Sequence, residues 1–93
     1  MPDYSQGKIY KIISDENDKF YIGSTIQPLY KRMYSHRNKH SLCMSKNLGV
    51  DIKDCIIVLV ENFECKDKDE LLRKERFYIE KYREEGLNIV NKN

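Results

Sequence analysis

The sequence of 93 residues is long enough for one hydrophobic core and too short for two. Hydrophobic residues make up 40% of it and charged residues 34%, which excludes the disordered class and indicates a soluble globular chain. It has no apolar run of about 18 residues and no leader with a basic and then an apolar segment, so neither a membrane-spanning nor a secreted protein is predicted. We expect one domain at residues 1–93, frayed over residues 1–6, in an intracellular compartment, either cytoplasmic or nucleoid/nuclear.

The three cysteines agree with a reducing compartment. Cys43, Cys55 and Cys65 are spaced by 12 and 10 residues, which is neither a disulfide framework nor a C-x-x-C zinc pair. We interpret them as packing or surface thiols.

Positive charge is concentrated in the middle third of the chain, although the formal net charge is only +2. No Asp or Glu occurs between residues 19 and 48. The cationic residues of this stretch are Lys19, Lys31, Arg32, Arg37, Lys39 and Lys46, with His36 and His40 among them. Such a basic stripe is typical of a polyanion-binding surface. The charges alone fit an ordinary solvated helix face equally well.

The first predicted element is an antiparallel hairpin, in which two apolar runs flank a polar loop from Ser14 to Lys19. The two runs are residues 8–13 and 20–22. With this loop, Ile12 pairs with Tyr21, so Tyr10 and Tyr21 project from the same face of the sheet. A slip of one residue in the register would place them on opposite faces.

A basic helix follows the hairpin. Pro28 suits the first turn of a helix, which we predict to run to near Lys39. Within it, Arg32 and His36 are spaced i, i+4, so they lie on one face within reach of a common ligand. We expect Gly23, at the end of the preceding strand, to let a bulky backbone approach without interference from a Cβ atom. These features are components of a phosphate site.

The second half of the chain contains one more strand and one more helix. The continuous apolar run at residues 55–60 predicts the central strand of the sheet, covered on both faces. Residues 41–54 are assigned to a loop with at most a short helical turn. Asp67 or Asp69 can cap a second long helix, which Gly86 closes at the C′ position.

Glu75 is anomalous within this second helix. On a helical wheel it lies in the middle of an apolar stripe that includes Leu71, Tyr78 and Tyr82. An unpaired carboxylate is costly to bury, so Glu75 needs a partner. Two interpretations remain open at this point. The carboxylate forms an ion pair with Arg32 or another inward cation, or it is a divalent-metal ligand or a proton-transfer group.

These residues, in this order, resemble the GIY-YIG nuclease superfamily. The pattern consists of Lys8-Ile9-Tyr10, ten intervening residues, Tyr21-Ile22-Gly23, Arg32 with His36 four residues later, a helical Glu75 and a C-terminal Asn88. The resemblance covers nearly the whole chain from Gly7 to Asn88. The chain departs from the family pattern at the first glycine, where Lys8 stands with Gly7 just before it.

The resemblance implies an α+β fold in which a small three-stranded antiparallel sheet is flanked by helices. It also implies metal-dependent hydrolysis of one DNA strand with a single Mg²⁺ or Mn²⁺ ion. The catalytic residues that it implies are Tyr10, Tyr21, Arg32, His36, Glu75 and Asn88. In this scheme Tyr10 helps to activate the attacking water, Arg32 binds the scissile phosphate and His36 assists proton transfer. Glu75 holds the metal ion, Tyr21 lines the site and Asn88 supports it.

DNA contacts are expected from the remaining basic residues of the middle third, which are Lys19, Lys31, Arg37, Lys39 and Lys46. The sequence has no zinc finger, helix-turn-helix or basic tail that would read base edges, so target recognition is expected from another domain or protein. The alternative is a non-catalytic nucleic-acid-binding module that uses the basic helix 28–40, with Tyr30 and Tyr34 as stacking platforms. Glu75 argues against this alternative, because a carboxylate repels a phosphate unless a metal ion lies between them. A purely structural α/β domain is the third interpretation.

Overall fold

The computed structural model describes residues 3–39, 48–49 and 52–91. In this part of the chain, three strands form an antiparallel sheet flanked by two long helices, which confirms the predicted α+β fold. The elements are β1 (Lys8–Ser14), β2 (Asn17–Thr25), α1 (Leu29–Lys39), β3 (Cys55–Asn62) and α2 (Lys68–Glu84). Two short 3-10 turns, Tyr4–Gln6 and Ile52–Asp54, precede β1 and β3.

The sheet has the order β2-β1-β3, so β1 is its central strand. Tyr10 of β1 pairs with Gly23 on one side and with Leu59 on the other. The prediction that residues 55–60 form the central strand is therefore wrong. β3 lies at an edge, and its Ile56 and Leu59 side chains are 57% and 42% exposed. The predicted cover on both faces is also incomplete, because these two side chains are exposed. An apolar run carries no information on how many neighbouring strands pair with its backbone.

The hairpin between β1 and β2 has a shorter turn than predicted. β2 begins at Asn17, so only residues 15–16 connect the two strands. Polar residues are tolerated at the start of β2 because this strand lies at an edge of the sheet. The predicted pairing of Ile12 with Tyr21 is confirmed, and it places Tyr10 and Tyr21 on the same face.

Both long helices begin and end close to the predicted positions. Asp67 is the N-cap of α2, and its side chain accepts a hydrogen bond from the backbone N–H of Glu70 at 2.9 Å. Gly86 has φ +77°, and the N–H of Leu87 donates to the carbonyl of Tyr82 in a Schellman closure. Among the described residues, no helix is long and apolar enough to cross a membrane.

The core consists of two clusters, one on each face of the sheet, because successive β1 side chains alternate between the faces. The cluster on the α1 side contains Tyr10, Ile12, Met33, Leu48, Ile52 and Cys55. The cluster on the α2 side contains Ile9, Ile22, Cys65, Leu71 and Ile79. The sheet is thus sandwiched between α1 and α2.

The N-terminal segment is anchored closer to the chain end than the sequence analysis expected. Residues 4–6, which were predicted to be frayed, form a 3-10 turn. The carbonyl of Tyr4 accepts hydrogen bonds from the backbone N–H of Cys65 at 3.0 Å and from its thiol at 3.3 Å. Cys55 and Cys65 are buried thiols, while Cys43 lies outside the described residues.

Candidate active site

Three hydrogen-bonded side chains connect β1 with α1. Arg32 Nε donates to the Tyr10 hydroxyl oxygen at 3.1 Å, and the same oxygen lies 2.8 Å from His36 Nε2. The bond from Arg32 uses a lone pair of the phenol oxygen, so the phenol can donate its proton to His36 in the tautomer that leaves Nε2 unprotonated. The i, i+4 spacing of Arg32 and His36 brings both side chains to one phenol.

Gly23 makes room for this phenol on the neighbouring strand. Tyr10 is paired with Gly23, and a Cβ atom at residue 23 would overlap the hydroxyl end of the Tyr10 ring. Gly23 does not have a positive φ, so its function here is the absence of a side chain. The group that approaches Gly23 is the Tyr10 side chain and not a backbone segment, which corrects the prediction from the sequence.

Replacing Gly23 with Ala is expected to destabilise the fold by about 1–3 kcal/mol, since the added methyl group overpacks the site against Tyr10. Urea unfolding of the parent and the variant measures this difference in the free energy of unfolding. In a Tyr10→Ala background most of the cost should disappear, because the overlapping ring is gone. Additive effects of the two substitutions would contradict this explanation.

His36 is held between two tyrosine rings and is 2% exposed. Its ring centroid lies 5.9 Å from that of Tyr10 and 5.7 Å from that of Tyr21, both in edge-to-face geometry. Burial raises the pKa of Tyr10 to about 12, and the hydrogen bond and charge of Arg32 only partly oppose this rise. Burial also raises the pKa of Tyr21, and the charge of Glu75 adds to the effect. Both phenols are therefore neutral at physiological pH.

Glu75 reaches the other side of the site from α2. The hydroxyl of Ser24 donates to Glu75 Oε1 at 2.6 Å, and the carboxylate is half-buried. Burial raises the pKa of this carboxyl group, while the Ser24 hydrogen bond and the charge of Arg32 act in the opposite direction. The partner of Glu75 in the described structure is thus a serine hydroxyl, and the ion pair with Arg32 that the sequence left open is not formed there.

A cleft of about 540 Å³ opens beside these residues, between the end of β2 and the first turns of α1 and α2. Its lining residues are Tyr4, Ser24, Thr25, Ile26, Gln27, Arg32, Lys68, Leu71, Leu72 and Glu75. Sequence reasoning identified Arg32 and Glu75 but missed Lys68, Ser24 and Gln27. Ser24 could be predicted from the sequence, because it directly follows the Tyr21-Ile22-Gly23 motif. Nothing in the sequence near Lys68 predicts a role in the cleft, because only the docking of α2 brings it there.

The structure does not bring the Asn88 side chain to this cluster, which differs from the prediction for that residue. Asn88 is exposed, and its backbone carbonyl accepts a hydrogen bond from Phe20 N–H at 3.0 Å. Asn91 instead clamps β2, because its side chain accepts from Ile22 N–H at 2.8 Å and donates to Ile22 carbonyl at 2.6 Å. The segment forms a parallel bridge to Phe20 through Ile89, in which the Asn88 carbonyl accepts from Phe20 and the Val90 N–H donates to it.

The basic residues predicted to contact DNA are spread over several elements. Lys19 on β2 and Lys31 on α1 are exposed. Arg37 is exposed but donates to the carbonyl of Cys55 at 3.5 Å, so part of it serves the contact between α1 and β3. Lys39 is the last residue of α1, and Lys46 lies outside the described residues.

The donors available for a metal ion are few. Within residues 3–39, 48–49 and 52–91, no group of three or more His, Cys, Asp or Glu side chains could hold an ion. The cleft offers the half-buried carboxylate of Glu75, oriented by Ser24. Mg²⁺ commonly keeps several waters and binds through one or two carboxylates together with substrate phosphates. A single carboxylate in an open cleft fits this mode of binding.

The fold and the site define a small α+β domain in which Arg32 and Glu75 line one cleft and the buried Tyr10–His36 pair contacts Arg32. Such groups suit phosphodiester chemistry. A family model described as the GIY-YIG catalytic domain matches residues 6–88, nearly the whole chain. The chain therefore belongs to the GIY-YIG family, which implies nuclease activity and, in general, the use of divalent metal ions. Comparisons with curated proteins and with solved structures give no match.

Proposed function

We propose that this chain is a metal-dependent DNA endonuclease domain that hydrolyses one phosphodiester bond and leaves a nick in a duplex. The proposal is carried by the convergence of Arg32, His36 and Tyr10 beside the cleft that contains Glu75. Such hydrolysis needs a group that binds the phosphate, a path for the proton of the attacking water and a protein ligand for the metal ion.

Arg32 binds the scissile phosphate. Its Nε is engaged by Tyr10, which orients the guanidinium group and leaves the terminal nitrogens for two parallel hydrogen bonds to phosphate oxygens. Charge accumulates on those oxygens in the transition state, so a donor that is already oriented stabilises the transition state more than the ground state.

Tyr10 and His36 move the proton of the attacking water as a pair. With a pKa of about 12, Tyr10 is a phenolate in only about one molecule in 10⁵ at pH 7, so a free phenolate is a poor base. Tyr10 can accept a proton when it passes its own to His36 Nε2, 2.8 Å away. The phenol is fully buried, so substrate binding must open a path for water to its hydroxyl group while the bond from Arg32 Nε is kept.

Glu75 would hold a single Mg²⁺ or Mn²⁺ ion, since such ions often bind proteins through only one or two carboxylates. When bound, the ion supplies Lewis-acid stabilisation of the leaving oxygen. The hydrogen bond from Ser24 fixes the orientation of the carboxylate. Partial burial without an ion-pair partner leaves this carboxylate with a charge that a cation would neutralise.

A non-catalytic nucleic-acid-binding module is the second candidate. It is favoured by Tyr30 and Tyr34 on α1, which are 71% and 70% exposed and sit beside Lys31. Such a module has no need for a half-buried carboxylate in the cleft that contains Arg32.

Incubation with supercoiled plasmid in Mg²⁺, in Mn²⁺ and in EDTA separates the two candidates. Nicked circles that form only with a metal ion support the endonuclease. Plasmid that is retarded on a gel but stays supercoiled under all three conditions supports the binding module.

Substituting Arg32 with Lys is expected to lower the cleavage rate by at least about two orders of magnitude, comparable to the loss of one preorganised donor. An ammonium group lacks the planar fork with which Arg32 bonds Tyr10 through Nε and presents two parallel N–H groups to phosphate oxygens. Single-turnover nicking rates measure the effect, with Arg76→Lys as a control on the exposed face of α2. A rate within a few-fold of the parent would exclude the bidentate role.

DNA binding by this domain alone is expected to be weak and dependent on salt, because only some of the six basic residues of the middle third can meet phosphates at once. Three to five contacts predict a slope of roughly −3 to −5 in a plot of log K against log salt concentration. Fluorescence anisotropy in EDTA measures this slope, and Lys31→Ala should make it less negative by about 0.9. Tight binding to one sequence that is insensitive to salt would indicate a base-reading element within this chain and not in a separate recognition domain or protein.

A further inference from the structure

A second cleft, of about 350 Å³, lies on the outer side of α1. It is lined by Gln27, Tyr30, Lys31, Tyr34 and Ser35. Tyr30 and Tyr34 are spaced i, i+4, so their rings stand side by side one helical turn apart. Their exposed fractions of 71% and 70% are the largest among the exposed hydrophobic side chains of the described residues.

The second cleft shares one lining residue, Gln27, with the candidate active site. Arg32 lines only the first cleft, because it is two residues from each tyrosine on α1 and so lies on a different face of the helix. A strand whose phosphate is held by Arg32 can pass Gln27 at the start of α1 and place a nearby nucleotide against Tyr30 and Tyr34.

The chemistry of this cleft suits a nucleotide. Two phenol rings present flat faces, Lys31 supplies a positive charge, and no acidic residue occurs on α1 or in the surrounding sequence between residues 19 and 48. Aromatic side chains of this kind stack on bases with little dependence on their identity. In a paired duplex both faces of a base are covered by its neighbours, so an unpaired nucleotide is the form that can enter.

We propose that Tyr30 and Tyr34 form a stacking subsite for one unpaired nucleotide close to the scissile phosphate, reached past Gln27, so that the preferred substrate is DNA with an unpaired base near the cut. The proposal rests on the proposed endonuclease function and names its substrate class. Gln27 is the residue shared by the cleft of Arg32 and the cleft of Tyr30 and Tyr34.

The test uses two labelled duplexes of the same sequence, one fully paired and one with a two-nucleotide single-stranded bulge, mixed in one reaction with Mg²⁺ or Mn²⁺. The ratio of their cleavage rates is measured for the parent, for Tyr30→Ala and for Tyr34→Ala. The parent should cut the bulged duplex faster than the paired one. Each Ala variant should lower the ratio of the bulged rate to the paired rate toward one, by about 5- to 150-fold, which is the effect of losing one stacked base.

Two further variants separate stacking from other effects. Tyr34→Phe keeps the ring and should retain most of the preference. Phe77→Ala removes an exposed aromatic side chain of α2 that lines neither cleft, and it should leave the ratio unchanged. Binding of a single-stranded oligothymidylate in EDTA should weaken over the same 5- to 150-fold range in Tyr30→Ala and Tyr34→Ala.

The outcomes distinguish this proposal from the function on which it rests. A parent that cuts both duplexes equally, with the ratio unchanged in the Ala variants, would show that the substrate class is wrong while the endonuclease function stands. A parent that cuts neither duplex with either metal ion would remove the endonuclease function and, with it, this subsite.

Discussion

Glu75→Gln is expected to lower the nicking rate by at least about a thousandfold, because it removes the ligand for an ion that contributes several kcal/mol of transition-state stabilisation. The amide has nearly the shape of the carboxylate, and its oxygen can still accept the hydrogen bond from Ser24. The fold and DNA binding should therefore change little. Plasmid nicking in a series of Mg²⁺ and Mn²⁺ concentrations measures the loss.

Glu80→Gln is the matched control, since it makes the same change on the exposed face of α2, where Glu80 pairs with Arg76. It should cut at the parental rate. Retention of metal-dependent nicking by Glu75→Gln would remove Glu75 from the metal site.

Stability provides a second measurement for Glu75 that does not depend on activity. Burial raises the folded pKa of its carboxyl group, so the contribution of Glu75 to stability is largest at low pH and is lost as the pH rises through that pKa. At neutral pH, Glu75→Gln should then unfold at an equal or higher urea concentration than the parent. A clear loss of stability would indicate a structural role for the carboxylate.

Tyr10→Phe is expected to leave a folded, DNA-binding protein that has lost about a hundredfold or more of its cleavage rate, within the usual range for general acid–base catalysis. The substitution keeps the buried ring and removes the oxygen that joins Arg32 to His36. Tyr21→Phe is the comparison, because Tyr21 contacts the same His36 ring but has no hydrogen bond to it in the described structure. Single-turnover rates with the same metal ion measure both variants.

The pH dependence of the rate tests the proton route. The parent rate should rise between about pH 6 and pH 9, as the basic form of the Tyr10–His36 pair accumulates, and then level off. A rise of tenfold per pH unit that continues to pH 11 would indicate a free Tyr10 phenolate. If Tyr10→Phe cuts near the parental rate with an unchanged profile, the phenol is only a wall of the pocket and His36 must activate water by another path.

The raised pKa of Tyr10 also predicts the stability of the fold in alkali. Because its folded pKa of about 12 exceeds the ordinary value of 10.0, the stability contributed by the neutral phenol is intact below pH 10 and is lost between pH 10 and pH 12. Tyr10→Phe should lose less stability than the parent over this window.

The sequence by itself determined those features that depend on spacing within one element or one hairpin. Arg32 and His36 share a ligand because a helix brings residues four apart to one face. Tyr10 and Tyr21 share a face because strand side chains alternate and a short hairpin restricts the register. Glu75 was recognised because a carboxylate within an apolar stripe at helical period must point inward.

Contacts between distant elements were decided only by the tertiary structure. The edge position of β3 depends on which strands pair, and an apolar run does not encode this. The hydrogen bond of Ser24 with Glu75 joins residues 51 positions apart, and Lys68 reaches the cleft only because α2 docks there. The C-terminal asparagine whose side chain binds β2 is Asn91, because the bridge of Ile89 to Phe20 brings residue 91 to the backbone of Ile22. Such contacts depend on how the elements pack in three dimensions, and spacing within an element does not report on that packing.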